Sequence, residues 1–362
     1  MRRRLLAFSG SSAAVAALLL FALAPVSGQA PSPGTPSRRT PSAPASSRPA
    51  PPRNAPSKTA VPRTPGGHPD LQGFWATPST VATPLERPES VGGQEFLSDE
   101  DLAAREAWVR NRRDNSNTAS RFQPNADPVG NYNDFWTPEE ARMSKRTALI
   151  VDPPNGRVPP LTPAAQKKEQ EEAAARRRRG PDVTDDPEDL GLWSRCITRV
   201  GAPIIPGPYN NNYQIVQSPT SVAIIAEVID IRVIPLDGRP HAPSNVRGYL
   251  GDSRGRWEGD TLVVETTNFN NRNNFRGSGE GLRLVERFTR TSPNSLNYEF
   301  TVEDPTTFTA PWTATNTMST LDGVLYEYAC HEANISMFAS LQGARAAEKQ
   351  KAAGTAPAGS PR

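Results

Sequence analysis

The chain has few of the residues that announce chemistry most directly. Among 362 residues there are two cysteines, three histidines and four methionines. His68, His241 and His331 stand far apart, and no H-x-H, H-E-x-x-H or C-x-x-C spacing occurs. A zinc site needs three or four convergent ligands, so no metal is expected. There is no P-loop, and Gly277-Ser278-Gly279-Glu280-Gly281 lacks the strand-to-helix context of a dinucleotide fingerprint, so it reads as a hairpin loop and no cofactor is expected. The longest apolar run, Ala13 to Ala24, is too short for a comfortable membrane span.

That run is explained by its flanks. Arg2, Arg3 and Arg4 precede it and Gly28-Gln29-Ala30 follows, the pattern of a secretory signal over residues 1–30; general and twin-arginine export both remain open. No cysteine lies near the cleavage site, so no lipid anchor is expected, and the mature protein is expected to be periplasmic or secreted. Residues 31–66, mostly Pro, Ser, Ala, Thr and Arg, have no apolar periodicity and read as a disordered linker. The basic pI belongs to these two segments. They hold nine of the 41 basic residues and no acid, leaving the body with 32 basic against 38 acidic residues, a net charge of −6. An acidic body argues against nucleic acid as a partner.

The remaining stretch, 67–343, is long enough for one domain with a substantial core, followed by a loose tail over 344–362. It is organised around Gly251 to Phe269. There Arg256-Trp257 leads into a turn at Glu258-Gly259-Asp260, followed by the β-branched run Thr261 to Thr267. Strands are expected at Pro69 to Trp75, Thr147 to Val151, Tyr213 to Gln217, Val222 to Asp230, Ile231 to Leu236 and Gly255 to Glu258. More follow at Thr261 to Asn268, Leu282 to Thr291, Leu296 to Asp304, Trp312 to Thr320 and Val324 to Cys330. Leu282, Leu284 and Glu286 share one face, as do Leu296, Tyr298, Phe300 and Val302. Helices are expected from Ser98, at Thr137-Pro138-Glu139-Glu140, from Thr162-Pro163 to the Arg176 to Arg179 block, and from Asn334 to Lys349. The fold class is mainly β: an antiparallel up-and-down barrel or strongly curled sheet, lipocalin-like by analogy, with peripheral helices.

Cys196 and Cys330 in an exported chain read as a disulfide, with a reactive Cys330 beside His331 as the alternative. Three blocks, YNNNYQIVQ, GDSRGRWEGDTLVVETTNF and VEDPTTFTAPWTA through YEYACHEAN, resemble a family of uncharacterised exported bacterial proteins. The resemblance brings no activity and no site residues.

Candidate site residues come instead from side-chain chemistry. Asn211, Asn212, Tyr213, Arg254, Arg256, Trp257, Asn268 and Arg276 combine amides, guanidinium forks and flat rings, which suits a small polar or carbohydrate-like ligand at a barrel mouth. Asparagine also favours loops because it tolerates left-handed backbone. His331 at a strand end is a candidate general base, with Glu332 or Asp252 as partner, for a hydrolase, lyase or isomerase; an inert histidine beside a disulfide is the alternative. Glu258, Asp260, Glu265 and Glu286 are carboxylates that either pair for catalysis or bind cross-strand arginines. His241 has the weaker claim. A third class is an envelope interaction protein held off a surface by its Pro-rich arm.

Overall fold

The computed structural model describes residues 60–78, 83–108, 144–179, 184–199, 201–207, 210–272, 275–332 and 334–354. The expected signal segment, most of the expected linker, the far end of the helix expected from Ser98 and the helix expected at Thr137-Pro138-Glu139-Glu140 lie outside these residues.

Ten strands form one antiparallel sheet: β1 (Gly73–Ala76), β2 (Ile150–Asp152), β3 (Asn212–Gln217), β4 (Ser221–Ala226), β5 (Ile231–Pro235), β6 (Asp252–Glu258), β7 (Thr261–Thr267), β8 (Arg283–Ser292), β9 (Ser295–Glu303) and β10 (Trp312–Thr320). Their order is β5-β4-β3-β1-β10-β9-β8-β7-β6, with the short β2 also on β10. Two meanders, β3 to β5 and β6 to β10, are thus joined through β1, which lies between β3 and β10. The sheet curls until β5 and β6 lie side by side, giving a nearly closed barrel with no hydrogen-bonded ladder across that seam. Gly255 makes the approach possible. A Cβ there would lie 2.6 Å from Leu236 Cδ2 and 2.9 Å from Ile234 Cγ2.

Period-two alternation explains why these segments are strands. In β8 and β9, Leu284, Glu286, Phe288, Leu296, Tyr298, Phe300 and Val302 face inward and are buried, while Arg283, Arg287, Glu299 and Glu303 face outward. Trp75, Trp312, Ile215, Ile224, Ile234, Leu262 and Val264 complete a filled core. The interior is therefore packed and offers no broad lumen. Glu286 brings a fully buried charge into this face, and it meets Arg232 of β5 across the barrel. Arg232 Nη2 donates to Glu286 Oε2 at 2.7 Å, and the Tyr298 hydroxyl donates to Oε1 at 2.8 Å. The backbone N–H of Ile204 donates to that hydroxyl at 2.9 Å, which completes the chain of contacts.

Among the described residues three α-helices accompany the sheet. α1 (99–108) begins at Ser98, whose Oγ accepts from Asp101 N at 3.0 Å. α2 (Pro163–Arg179) buries no residue, as its nearly continuous polar composition implies. α3 (Ile335–Ala352) starts on an Asn334 cap and extends into the stretch expected to be a loose tail. Its apolar stripe does not dock: Ile335 and Phe338 are exposed.

Three expectations are corrected. Val324 to Cys330 forms no strand, because both edges of β10 are already occupied, by β9 on one side and β1 and β2 on the other. The segment instead passes over the surface, where Trp193 Nε1 donates to the Tyr328 hydroxyl at 3.1 Å. The strand from Val222 stops at Ala226, since the chain turns through a left-handed Ile229 (φ 64°) before β5. Order also begins before Gly67: Arg63 donates to both oxygens of Asp260, at 2.9 and 2.6 Å, and His68 stacks on Trp257 with ring centroids 4.6 Å apart. In β5, Arg232 and Ile234 face the interior and the more apolar Ile231 and Val233 lie outside, 60% and 63% exposed.

The Cys196–Cys330 disulfide is formed, across 134 residues of sequence. Two stability predictions follow from these links. Glu286→Ala, which leaves Arg232 buried without its counter-charge, is expected to cost about 3–5 kcal/mol in urea unfolding. Cys196→Ser with Cys330→Ser is expected to lower stability by at most about 5 kcal/mol, with a lower melting temperature that reductant no longer shifts.

Candidate functional site

The strand registers sort the polar residues between two ends of the barrel. One end carries the tight hairpins β3–β4, β6–β7 and β8–β9. The other carries the starts of β3, β6 and β8 and the longer loops after β7 and β9. Asn211, Asn212, Tyr213, Asp252, Asn268 and Arg276 gather at this loop end. Arg256 and Trp257 lie at the hairpin end, where Arg256 pairs with Glu258 at 2.6 Å and Trp257 covers His68. They cannot share a site with the others, because the β6 strand separates them from the loop end.

Several of the amides are spent on holding loops. Asn211 is buried; its Oδ1 accepts from Gly207 N at 2.6 Å and its Nδ2 donates to Gly207 O at 3.0 Å. Asn268, at φ 58°, donates to the carbonyls of Ala242 and Pro243 at 2.9 and 3.3 Å. For these two the loop-forming role accounts for the side chain. Asn212 and Tyr213 are also buried, with Tyr213 facing the interior of β3. Burial pushes the Tyr213 hydroxyl well above the usual phenol range.

Two concavities open at the loop end. The larger, about 680 Å³, runs between α2 and the loops after β7 and β9. Asn271, Arg276, Glu280 and Thr306 line it on the barrel side, and Lys168 and Arg176 on the helix side. Arg276 has a left-handed backbone (φ 50°) and donates to Glu86 at 3.0 Å; Asn271 donates to Glu280 at 2.9 Å. Gly279 leaves room for that pair, since a Cβ would come within 2.5 Å of Asn271 Oδ1. The smaller, about 20 Å³, lies beside Tyr213 and Arg232.

The histidines are distributed differently from expectation. His331 and Glu332 are exposed beside the disulfide, and among the described residues no carboxylate pairs with the His331 ring. The partner of Asp252 is His241: Asp252 Oδ2 lies 2.8 Å from His241 Nδ1 and accepts from Ala242 N at 3.0 Å. His241 Nε2 in turn faces Glu265 Oε1 at 3.5 Å. Both ring nitrogens thus face carboxylates, on the outer face of β6 and β7. Arg254, on the same face, pairs with Asp252 at 3.2 Å, and Arg283 binds Glu265 and Glu303. This wall is an ion-pair lattice that clamps the loop holding His241. Glu265 and Glu286 are on opposite faces of the sheet and cannot act as a pair. The run Gly251-Asp252-Ser253-Arg254-Gly255 has the spacing G-x-S-x-G, but it lies within a strand; Ser253 Oγ is buried, 2.9 Å from Thr266 Oγ1.

No family model, curated protein or solved structure matches the chain. Sequence reasoning passed over Arg199 and Arg232, which border the small cavity. Glu286 was their one available signal, since a lone carboxylate on an otherwise apolar strand face requires a buried cationic or hydroxyl partner.

The Arg283 guanidinium, through its hydrogen bond, holds the Glu265 carboxyl below the usual glutamate range. A carboxyl depressed in the folded state adds stability above its unfolded pKa and loses it as pH falls through the folded value. Arg283→Met is therefore expected to cost about 1 kcal/mol or less at neutral pH, because the pair is partly exposed and screened by solvent. Its deficit against the parent chain should shrink on acidification below about pH 4.5, as measured by urea unfolding across pH.

Proposed function

We propose that this is an extracytoplasmic binding protein that takes a small polar, hydroxyl-rich ligand in the groove between α2 and the loop end of the barrel. The groove carries the proposal: it is the large concavity in which one expected ligand residue, Arg276, meets Asn271 and further donors and acceptors. Guanidinium, ammonium, amide, hydroxyl and carboxylate groups around one space match a ligand with both donors and acceptors, as carbohydrates have. The filled core supports a site at the end of the barrel over one within it. The extracytoplasmic reading is supported by the signal-like first segment and by the disulfide. Among the described residues no helix is long and apolar enough to cross a membrane.

The test is thermal shift of the full chain against a panel of monosaccharides, oligosaccharides and polar metabolites. At least one compound is expected to raise the melting temperature, and Ala165→Trp, which fills the groove from α2, is expected to abolish that rise. A panel without effect, or a rise unchanged in Ala165→Trp and Arg276→Ala, overturns the proposal.

A further inference from the structure

The Cys196–Cys330 disulfide ties a buried turn to an arm with little packing of its own. Cys330 lies on the stretch that leaves β10 and runs over the surface to α3. Val324, Tyr326, Ile335 and Phe338 along this arm are exposed, and α3 buries no residue. Exposed groups make its hydrogen bonds to the rest of the chain. The Tyr328 hydroxyl accepts from Trp193 Nε1, Asn334 Nδ2 donates to Ser194 O at 2.8 Å, and Arg345 donates to Thr184 O at 3.3 Å. The two sulfurs differ in access. Cys196 is 7% exposed, whereas Cys330 is half-buried and, with Trp193, Tyr328 and Asn334, lines an open concavity of about 440 Å³. They differ also in what surrounds them. Asn334 Nδ2 donates to Cys196 Sγ at 3.2 Å, while Asn334 Oδ1 accepts from Met337 N at 3.4 Å and so caps α3. Cys196 Sγ thus lies beside a donor at the start of an 18-residue helix, and both favour a negative sulfur.

We infer that this disulfide is an exchange site for a dithiol, which attacks Cys330 through the concavity and frees the arm, 321–354, while the barrel stays folded. One sulfur of the dithiol, as thiolate, bonds to Cys330 Sγ. The Cys330–Cys196 bond breaks, and its electron pair leaves on Cys196 Sγ as a thiolate that keeps the Asn334 Nδ2 hydrogen bond. The second sulfur of the dithiol then attacks the first, and Cys330 leaves in turn. Two electrons pass to the protein, the two thiol protons end on Cys196 and Cys330, and the dithiol closes into a disulfide. An accessible target sulfur and a stabilised leaving thiolate are the conditions that make such exchange fast. The strands all precede the arm, so the sheet and the Arg232–Glu286 brace lie outside the released stretch. The reaction can also run back. Cys196 N donates to Trp193 O and Ile197 N to Leu192 O, both at 2.9 Å, so the turn is closed by its own backbone and keeps the thiol in place.

The probe is dithiothreitol, added to the oxidised full chain in native buffer, with thiol labelling and hydrogen exchange read by mass spectrometry. Both cysteines are expected to become labelled without denaturant. Amides of the arm should lose protection by about tenfold or more, while those of β6 to β10 keep theirs. Glutathione, a monothiol that lacks the second sulfur, should leave an adduct on Cys330. Asn334→Asp keeps a helix cap but replaces the donor at Cys196 with a carboxylate, and is expected to slow opening at least about three- to tenfold, the worth of one hydrogen bond. Reduction that requires denaturant, a glutathione adduct on Cys196, or opening of Asn334→Asp as fast as the parent would overturn the inference. So would an arm that keeps its protection once reduced, or strands that lose theirs with it.

Discussion

At the seam between β5 and β6 the barrel wall has no backbone ladder, and the strand on one side of it, β5, is held from inside. Arg232 reaches across the interior to Glu286 on β8, and Glu286 is shared with Tyr298 on β9. Around this cross-brace the apolar contacts fall into place: Ile234 beside Leu236 over Gly255, Phe288 against Tyr298, and Tyr298 against Phe300. A ladder contributes many modest hydrogen bonds spread along two strands. A single buried ion pair is different in kind, because it is geometrically exacting and strongly destabilising when only one partner is removed. The brace also fixes which face of β5 points inward, since the guanidinium must reach Glu286. The cost of that choice is visible outside, where Ile231 and Val233 meet solvent.

The two halves of the outer wall consequently differ. Over β6 to β9, outward residues form a continuous run of ion pairs: Arg254 with Asp252, Arg256 and Arg287 with Glu258, and Arg283 with Glu265 and Glu303. These pairs are partly solvated, so each adds modestly to stability. Together they suit a wall that stays in water and keep the His241 loop against it. Over β3 to β5 the outward residues include Val216, Ile231 and Val233, all exposed. The interior brace and the exterior lattice both use cross-strand charge, but only the interior one sets the topology.

The same division governs where ligands can go. A filled core leaves no broad lumen, and the groove of about 680 Å³ lies where loops and α2 stand away from the strand ends. Asparagine side chains in these loops divide between two uses. Asn211 and Asn268 turn their amides inward to fasten the chain, while Asn271 stands in the groove paired with Glu280. Arg276 reaches the groove because its left-handed backbone swings it off the end of the meander, where it also touches Glu86.

Much of the strand layout was legible in the residues themselves. Alternation in Leu282 to Phe288 and Leu296 to Val302, and the turn residues between them, specify strands and inward faces without any distant partner. The polar length of α2 and the Asn334 cap of α3 were likewise local facts, and with two cysteines in the chain one pairing was possible. Tertiary structure alone decided the rest. The insertion of β1 between the meanders denied a strand to Val324 to Cys330, and it depends on which edges are free, a property of the whole sheet. The pairing of Asp252 with His241 instead of His331 depends on where a long loop returns. The inward turn of Arg232, against the apolar preference of its neighbours, depends on a carboxylate far away in sequence. In each case the deciding interaction joins residues distant along the chain, and periodicity, capping and turn chemistry carry no information about such partners.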